Sequence, residues 1–329
     1  MSCKRLILMA LIVGLSVKAV AGANAHDMPV VTVSTLAFGT VDWELDTIAH
    51  HALDSARGIE VLPLRAASGE AAKLALITGA TDLIVTDWLW VARQRAEGRK
   101  FVFLPYSRAV GALMVPSTSP LATMNDLKGR RIGIAGGPLD KSWLLLRAYW
   151  RKRTGSDIEA FFDPEYGAAP LLNAELERGR LDATLTFWTY AARVQAAGGR
   201  PLIQVSEIMA ALGVDPDVPL LGFVARADWA REHRPQLDAF LQASRTAKQL
   251  IIDQDQEWQR ISHLTGTSDP ALLAELRRQY QLGFVRHWGA TEKAAASRMF
   301  DILRELGGEG LVGRSDHLDP AIFWTGASY

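Results

Sequence analysis

Two glycines, a carboxylate, an ammonium and a hydroxyl fall within residues 136–142, GGPLDKS, between an apolar run at 132–135 and a helical pattern. A strand that passes through glycines into a helix start leaves backbone N–H groups unpaired at the positive end of the helix dipole. Such an end suits a carboxylate, sulfonate or phosphate. Gly137, Lys141, Ser142 and Trp143 are therefore candidate ligand contacts, with Lys141 either charging the seat or lying in solvent. A nucleotide loop is excluded: Asp140 stands where a Walker motif needs glycine, and Gly133, Gly136 and Gly137 miss the G-x-G-x-x-G spacing. The plainer alternative is a helix capped by Asp140 that binds nothing. Trp143, Leu146 and Trp150 share one face of that helix, and Gly155 ends it.

Three other junctions have the same form. Residues 30–34 are largely β-branched and predict a strand, followed by the loop LAFGTVDW and a helix with Leu45, Ile48 and Leu53 on its apolar face. Phe38, Thr40 and Trp43 sit where an open α/β sheet collects ligands; for Trp43 a first-turn core position is the alternative. Residues 83–85 predict a strand that hands over at Thr86, Asp87 and Trp88, with Asp87 most simply a helix cap. Trp88 and Trp90 stand two apart on the next helix, so one of them is expected at the cleft or surface. Residues 183–187 predict a strand ending in TFWTY, which offers Trp188 and Tyr190 as aromatic clamps for an organic ligand, or as core filler.

Other polar groups give weaker signals. His50 and His51 are adjacent on a helix, point to different faces and read as solvated surface. Asp42, Glu44, Asp46, Asp87 and Asp140 are spaced as caps and solvated first-turn charges rather than as a cage for a hard cation. H-E-x-x-H, G-x-S-x-G and C-x-x-C are absent, which removes the commonest hydrolase and metal signals.

These junctions need a scaffold, and the alternation of strand and helix predicts an α/β fold with parallel-rich sheets and right-handed crossovers. The 329 residues are 49% hydrophobic, enough for one large or two ordinary domains, and 36 basic residues against 36 acidic ones give no case for nucleic acid. At the N-terminus Lys4 and Arg5 precede an apolar stretch, and Ala23-Asn24-Ala25 forms an A-x-A site. Residues 1–25 thus read as a cleaved export signal, with the mature chain starting at His26. Cys3 lies inside that signal, so the mature chain has neither disulfides nor thiol chemistry. Trp258, His263, His287 and Trp288 are expected to pack a helical tail.

The stretch DLKGRRIGIAGG at 126–137 resembles the opening of the second lobe in type II periplasmic solute-binding proteins of ABC importers. Within them it is similar to the aliphatic sulfonate, taurine, nitrate and thiamine-precursor receptors. TDLIVTDWLWVARQRAEG at 81–98 resembles the strand, loop and helix of their first lobe, and Leu181-Asp182-Ala183 their turn into a ligand-touching strand. The resemblance implies two lobes, each a mostly parallel sheet flanked by helices, with the cleft between them. Together with the proline-rich breaks it assigns 26–115 and 216–329 to lobe one and 116–215 to lobe two. It also implies a periplasmic, monomeric receptor without a cofactor, which closes on a small organic anion and delivers it to an inner-membrane ABC permease. A receptor for a metal or metal chelate is one alternative. A thiamine-pyrimidine-synthase-like enzyme is another, although those enzymes carry a cysteine-rich motif.

Overall fold

The structure, a computed structural model, describes residues 28–36, 39–162 and 164–325. The expected signal and cleavage site, and Phe38, lie outside the described residues. In chain order, β1 (Val30–Leu36), α1 (Val41–His50), β2 (Glu60–Ala66), α2 (Gly69–Thr78), β3 (Leu83–Asp87), α3 (Trp88–Ala96) and β4 (Phe101–Ser107) alternate. There follow β5 (Ala112–Val115), β6 (Ile132–Ala135), α4 (Lys141–Thr154), β7 (Pro164–Gly167), α5 (Ala169–Glu177), β8 (Ala183–Thr186), α6 (Trp188–Ala196), β9 (Arg200–Gln204) and α7 (Val205–Ala211). The last part comprises β10 (Leu221–Arg226), α8 (Ala227–Glu232), α9 (Arg234–Asp253), α10 (Asp255–Ile261), α11 (Pro270–Leu282) and α12 (Ala290–Val312).

The strands form two five-stranded mixed sheets with the same plan, β2-β1-β3-β10-β4 and β7-β6-β8-β5-β9. In each, β-α-β units supply parallel strands, β1 beside β2 and β3, and β6 beside β7 and β8. Each sheet also accepts one antiparallel strand from a chain that has just crossed over: β10 lies between β3 and β4, and β5 between β8 and β9. We call the half built on the first sheet lobe one and the other lobe two.

The first crossing comes earlier than the prolines suggested. Residues 112–115, expected to complete lobe one, pair with β8 and β9 in the second sheet. The crossing occupies residues 108–111, and Gly111 makes it possible: a Cβ there would fall 1.6 Å from the Thr186 carbonyl oxygen. The helical tail is not confined to lobe one either. α11 packs on α6, and α12 packs on both α3 and α4. A single apolar core runs from Trp88 and Phe103 through Leu113 and Ile134 to Phe300 and Leu303, so the lobes are joined by buried surface as well as by chain.

Candidate functional site

The helices that begin at strand ends differ in what meets their first N–H groups. Ser68 accepts from Ala71 at the start of α2, and Asp87 Oδ1 accepts from the Trp90 N–H at 2.9 Å on α3. At α4 the Asp140 carboxylate accepts from Ser142 and Trp143 at 2.9 and 3.2 Å. The seat predicted for an anion at residues 137–142 is thus filled by the chain's own carboxylate. The N-caps of α1 and α6 are Thr40 and Phe187, and neither makes a side-chain cap bond. Among the described residues the Trp188 and Thr189 N–H groups have no partner, and the first turn of α6 holds no acidic residue.

Lys141 is not in solvent. Its Nζ lies 3.0 Å from Asp87 Oδ2, so an ion pair links α4 of lobe two to α3 of lobe one. Their side chains are 30% and 14% exposed. Burial pushes the Asp87 carboxyl up, but the Lys141 ammonium and the Trp90 N–H overcome it and hold the group below the usual carboxylate range. Asp87 raises the Lys141 ammonium despite burial. Asp140 is raised by burial, with a smaller contribution from Asp87. Two carboxylates beside one ammonium make this junction unfavourable for an added anion.

The aromatic candidates separate. Trp188 is half-buried and meets Trp43 edge-on across the lobes, with ring centroids 6.2 Å apart. Trp43 itself is 3% exposed and walled by Trp258 and Tyr280, with its Nε1 donating to the Leu264 carbonyl. It supports Trp188 from behind more than it faces a cleft. Trp258, expected only to pack the tail, belongs to the same group. Tyr190 is half-buried beside the Arg193 guanidinium.

Trp88 and Trp143 are corrections, since both are fully buried in the core. α3 is covered by its sheet on one side and α12 on the other, so Trp88 and Trp90 both face inward. Trp143 packs against Phe162 and Tyr166 inside lobe two. Thr86 is buried, Thr40 and Ser142 are half-buried, and Gly137 lies in the loop before α4.

Two features were missed. Leu36, Leu139 and Phe187 are exposed apolar residues at three of the junctions. Glu44, read as a solvated charge, is 1% exposed. It accepts from the Tyr106 and Tyr280 hydroxyls at 2.8 and 2.5 Å and from Ser244 at 3.0 Å, with Lys248 Nζ at 3.3 Å. Burial pushes both phenols far above their usual range, and Glu44 adds to it. The group anchors the first turn of α1 to β4, α9 and α11. Its partners lie 62 to 236 residues away, beyond any sequence spacing.

The sequence pattern of the family described as NMT1/THI5 like matches residues 55–258. No curated protein matches the chain at a significant level. Solved structures match its fold. The periplasmic aliphatic sulphonate-binding protein of Escherichia coli is 17% identical, with a TM-score of 0.69 over 90% of this chain and 92% of the other. The alkanesulfonate-binding protein of Xanthomonas axonopodis pv. citri, solved with MOPS, is 18% identical, with a TM-score of 0.66 over 90% and 98%. A ligand-binding component of an ABC-type import system from Staphylococcus aureus, solved with zinc, is 14% identical, with a TM-score of 0.64 over 89% and 97%. The fold is that of type II periplasmic binding proteins.

Proposed function

The chain belongs to the NMT1/THI5-like family, and from that premise we propose that it is the periplasmic solute receptor of an ABC importer, closing its lobes on a small organic anion. One observation carries the choice of seat. The first turn of α6 has unpaired N–H groups, no acidic neighbour in that turn, and a half-buried tryptophan beside it. The anionic group sits at the Trp188 and Thr189 amides, and the organic body lies against the Trp188 ring and Phe187. The α4 end, already capped and paired with Asp87, takes no part in charge recognition. Differential affinity for the closed form supplies the driving force, and the permease takes up that form.

Two of the similar structures are named as sulfonate-binding proteins, and a third was solved with zinc. Among the described residues no three His, Cys, Asp or Glu side chains converge to hold a metal. Calorimetry on the chain from His26 onward, titrated in turn with MOPS, ethanesulfonate, nitrate and zinc, tests the reading. Saturable binding of a sulfonate is expected. Trp188→Ala should weaken it by ~1–3 kcal/mol through lost aromatic burial. Trp150→Ala, within lobe two against Phe161, should leave the affinity of the folded protein unchanged. Binding of zinc alone, or equal sulfonate affinity with and without Trp188, would overturn the proposed seat. Chemical change of the bound solute would point instead to an enzyme.

A further inference from the structure

α12 packs on α4 of lobe two and on α3 of lobe one, and further contacts tie both of its ends to lobe one. Glu305 faces Arg151 of α4 at 3.8 Å, and a Cβ at Gly307 would lie 3.1 Å from Leu144 of the same helix. Arg298 reaches Gly213, just beyond α7. At the leading end Trp288 packs on Phe323 with centroids 4.9 Å apart, and Phe323 bridges to Phe103 of β4. At the trailing end Arg93 of α3 donates to the Gly310 carbonyl at 3.2 Å, and Arg95 pairs with Asp319 at 2.9 Å.

The helix is broken between its middle and its trailing end. Gly308 has φ 55° and ψ −158°, a combination open to glycine and very costly for other residues. Nothing lies within 4 Å of a Cβ placed there, so backbone angle, not space, requires the glycine. Two residues on, a Cβ at Gly310 would lie 3.3 Å from Leu139, in the loop that carries Asp140 into Lys141. The break therefore sits at the junction of the lobes, close to the Asp87–Lys141 contact.

We propose that α12 is a strap between the lobes and that Gly308 is its joint. Lobe two cannot turn against lobe one without changing the angle at which α12 leaves α4 for α3, and Gly308 sets that angle in the arrangement seen here. The role goes beyond ligand capture, although its use rests on the receptor reading.

The mature chain has no cysteine, so Leu74→Cys on α2 and Leu171→Cys on α5, at exposed positions, place one spin label on each lobe. Distances between the labels are measured by pulsed electron resonance in ligand-free protein. Gly308→Ala should lower the population of the present arrangement roughly 5- to 150-fold relative to others, the factor for a non-glycine residue in such a region, and move the mean distance. Insertion of one glycine after Gly308 lengthens the joint without adding a side chain and should broaden the distribution. Should Gly308→Ala not fold, the insertion decides alone. Distributions superimposable on the parent's would mark Gly308 as a fixed kink and overturn the proposal. Because no solute is added, that failure is separate from failure of the sulfonate titration.

Discussion

Lys248 shows how far a single residue's role depends on partners distant in sequence. Its ammonium lies 3.3 Å from Glu44, donates to the Tyr106 carbonyl at 2.7 Å and stands 3.7 Å from the centre of the Tyr106 ring. Both charges are buried, and burial lowers the Lys248 ammonium from its ordinary range although Glu44 raises it. Removing one partner strands the other in a dry environment, which is far more harmful than replacing both. Lys248→Met should therefore destabilise the protein by about 3–5 kcal/mol in urea unfolding. A loss below about 1 kcal/mol would mean that water reaches Glu44.

Between elements, the contact of α1 with α10 is the most exposed to acid. Glu257 on α10 accepts from Thr47 of α1 and contacts His51, the residue after that helix, and Arg260 ties it to Asp46. Burial pushes the Glu257 carboxyl up, but the Arg260, His51 and Thr47 hydrogen bonds bring it down to about 2 from 4.5. A depressed folded value means stability present above the unfolded value and lost as pH falls through the folded one. Stability should thus drop between about pH 4.5 and pH 2, by up to roughly 3 kcal/mol from this group. Glu257→Gln should be less stable at pH 7 and flatter across that window. Urea midpoints at several pH values check it, and equal slopes for the two proteins would remove Glu257 from the account.

Across the whole molecule, the Asp87–Lys141 pair and the shared apolar core predict that the lobes unfold together. Asp87→Asn keeps an acceptor for the Trp90 N–H while removing the charge. In a double-mutant cycle with Lys141→Gln the coupling should be roughly 1–3 kcal/mol, as for contacting residues in one network. Two separate unfolding transitions, or coupling within about 0.3–0.5 kcal/mol, would mean that the lobes are energetically independent.

Local chemistry was legible from the sequence alone. Asp140 and Asp87 cap their helices as residue type and position required, Gly79 and Gly155 end theirs with positive φ, and strand–helix alternation identified an α/β fold. Such features act within a few residues, where spacing along the chain is spacing in space. Tertiary structure decided the rest. Residues 112–115 join the second sheet because Gly111 lets the backbone cross against Thr186, and a strand's own pattern does not name its sheet. Trp88 and Trp143 are core while Trp188 remains half-buried, although all three lie in the first turn of a helix that follows a strand. What differs is which face the covering layer closes: α12 lies over α3 and its tryptophans, and Phe162 and Tyr166 close over Trp143, whereas α11 packs on α6 and leaves Trp188 half-buried. The layers over α3 and α6 come from distant parts of the chain.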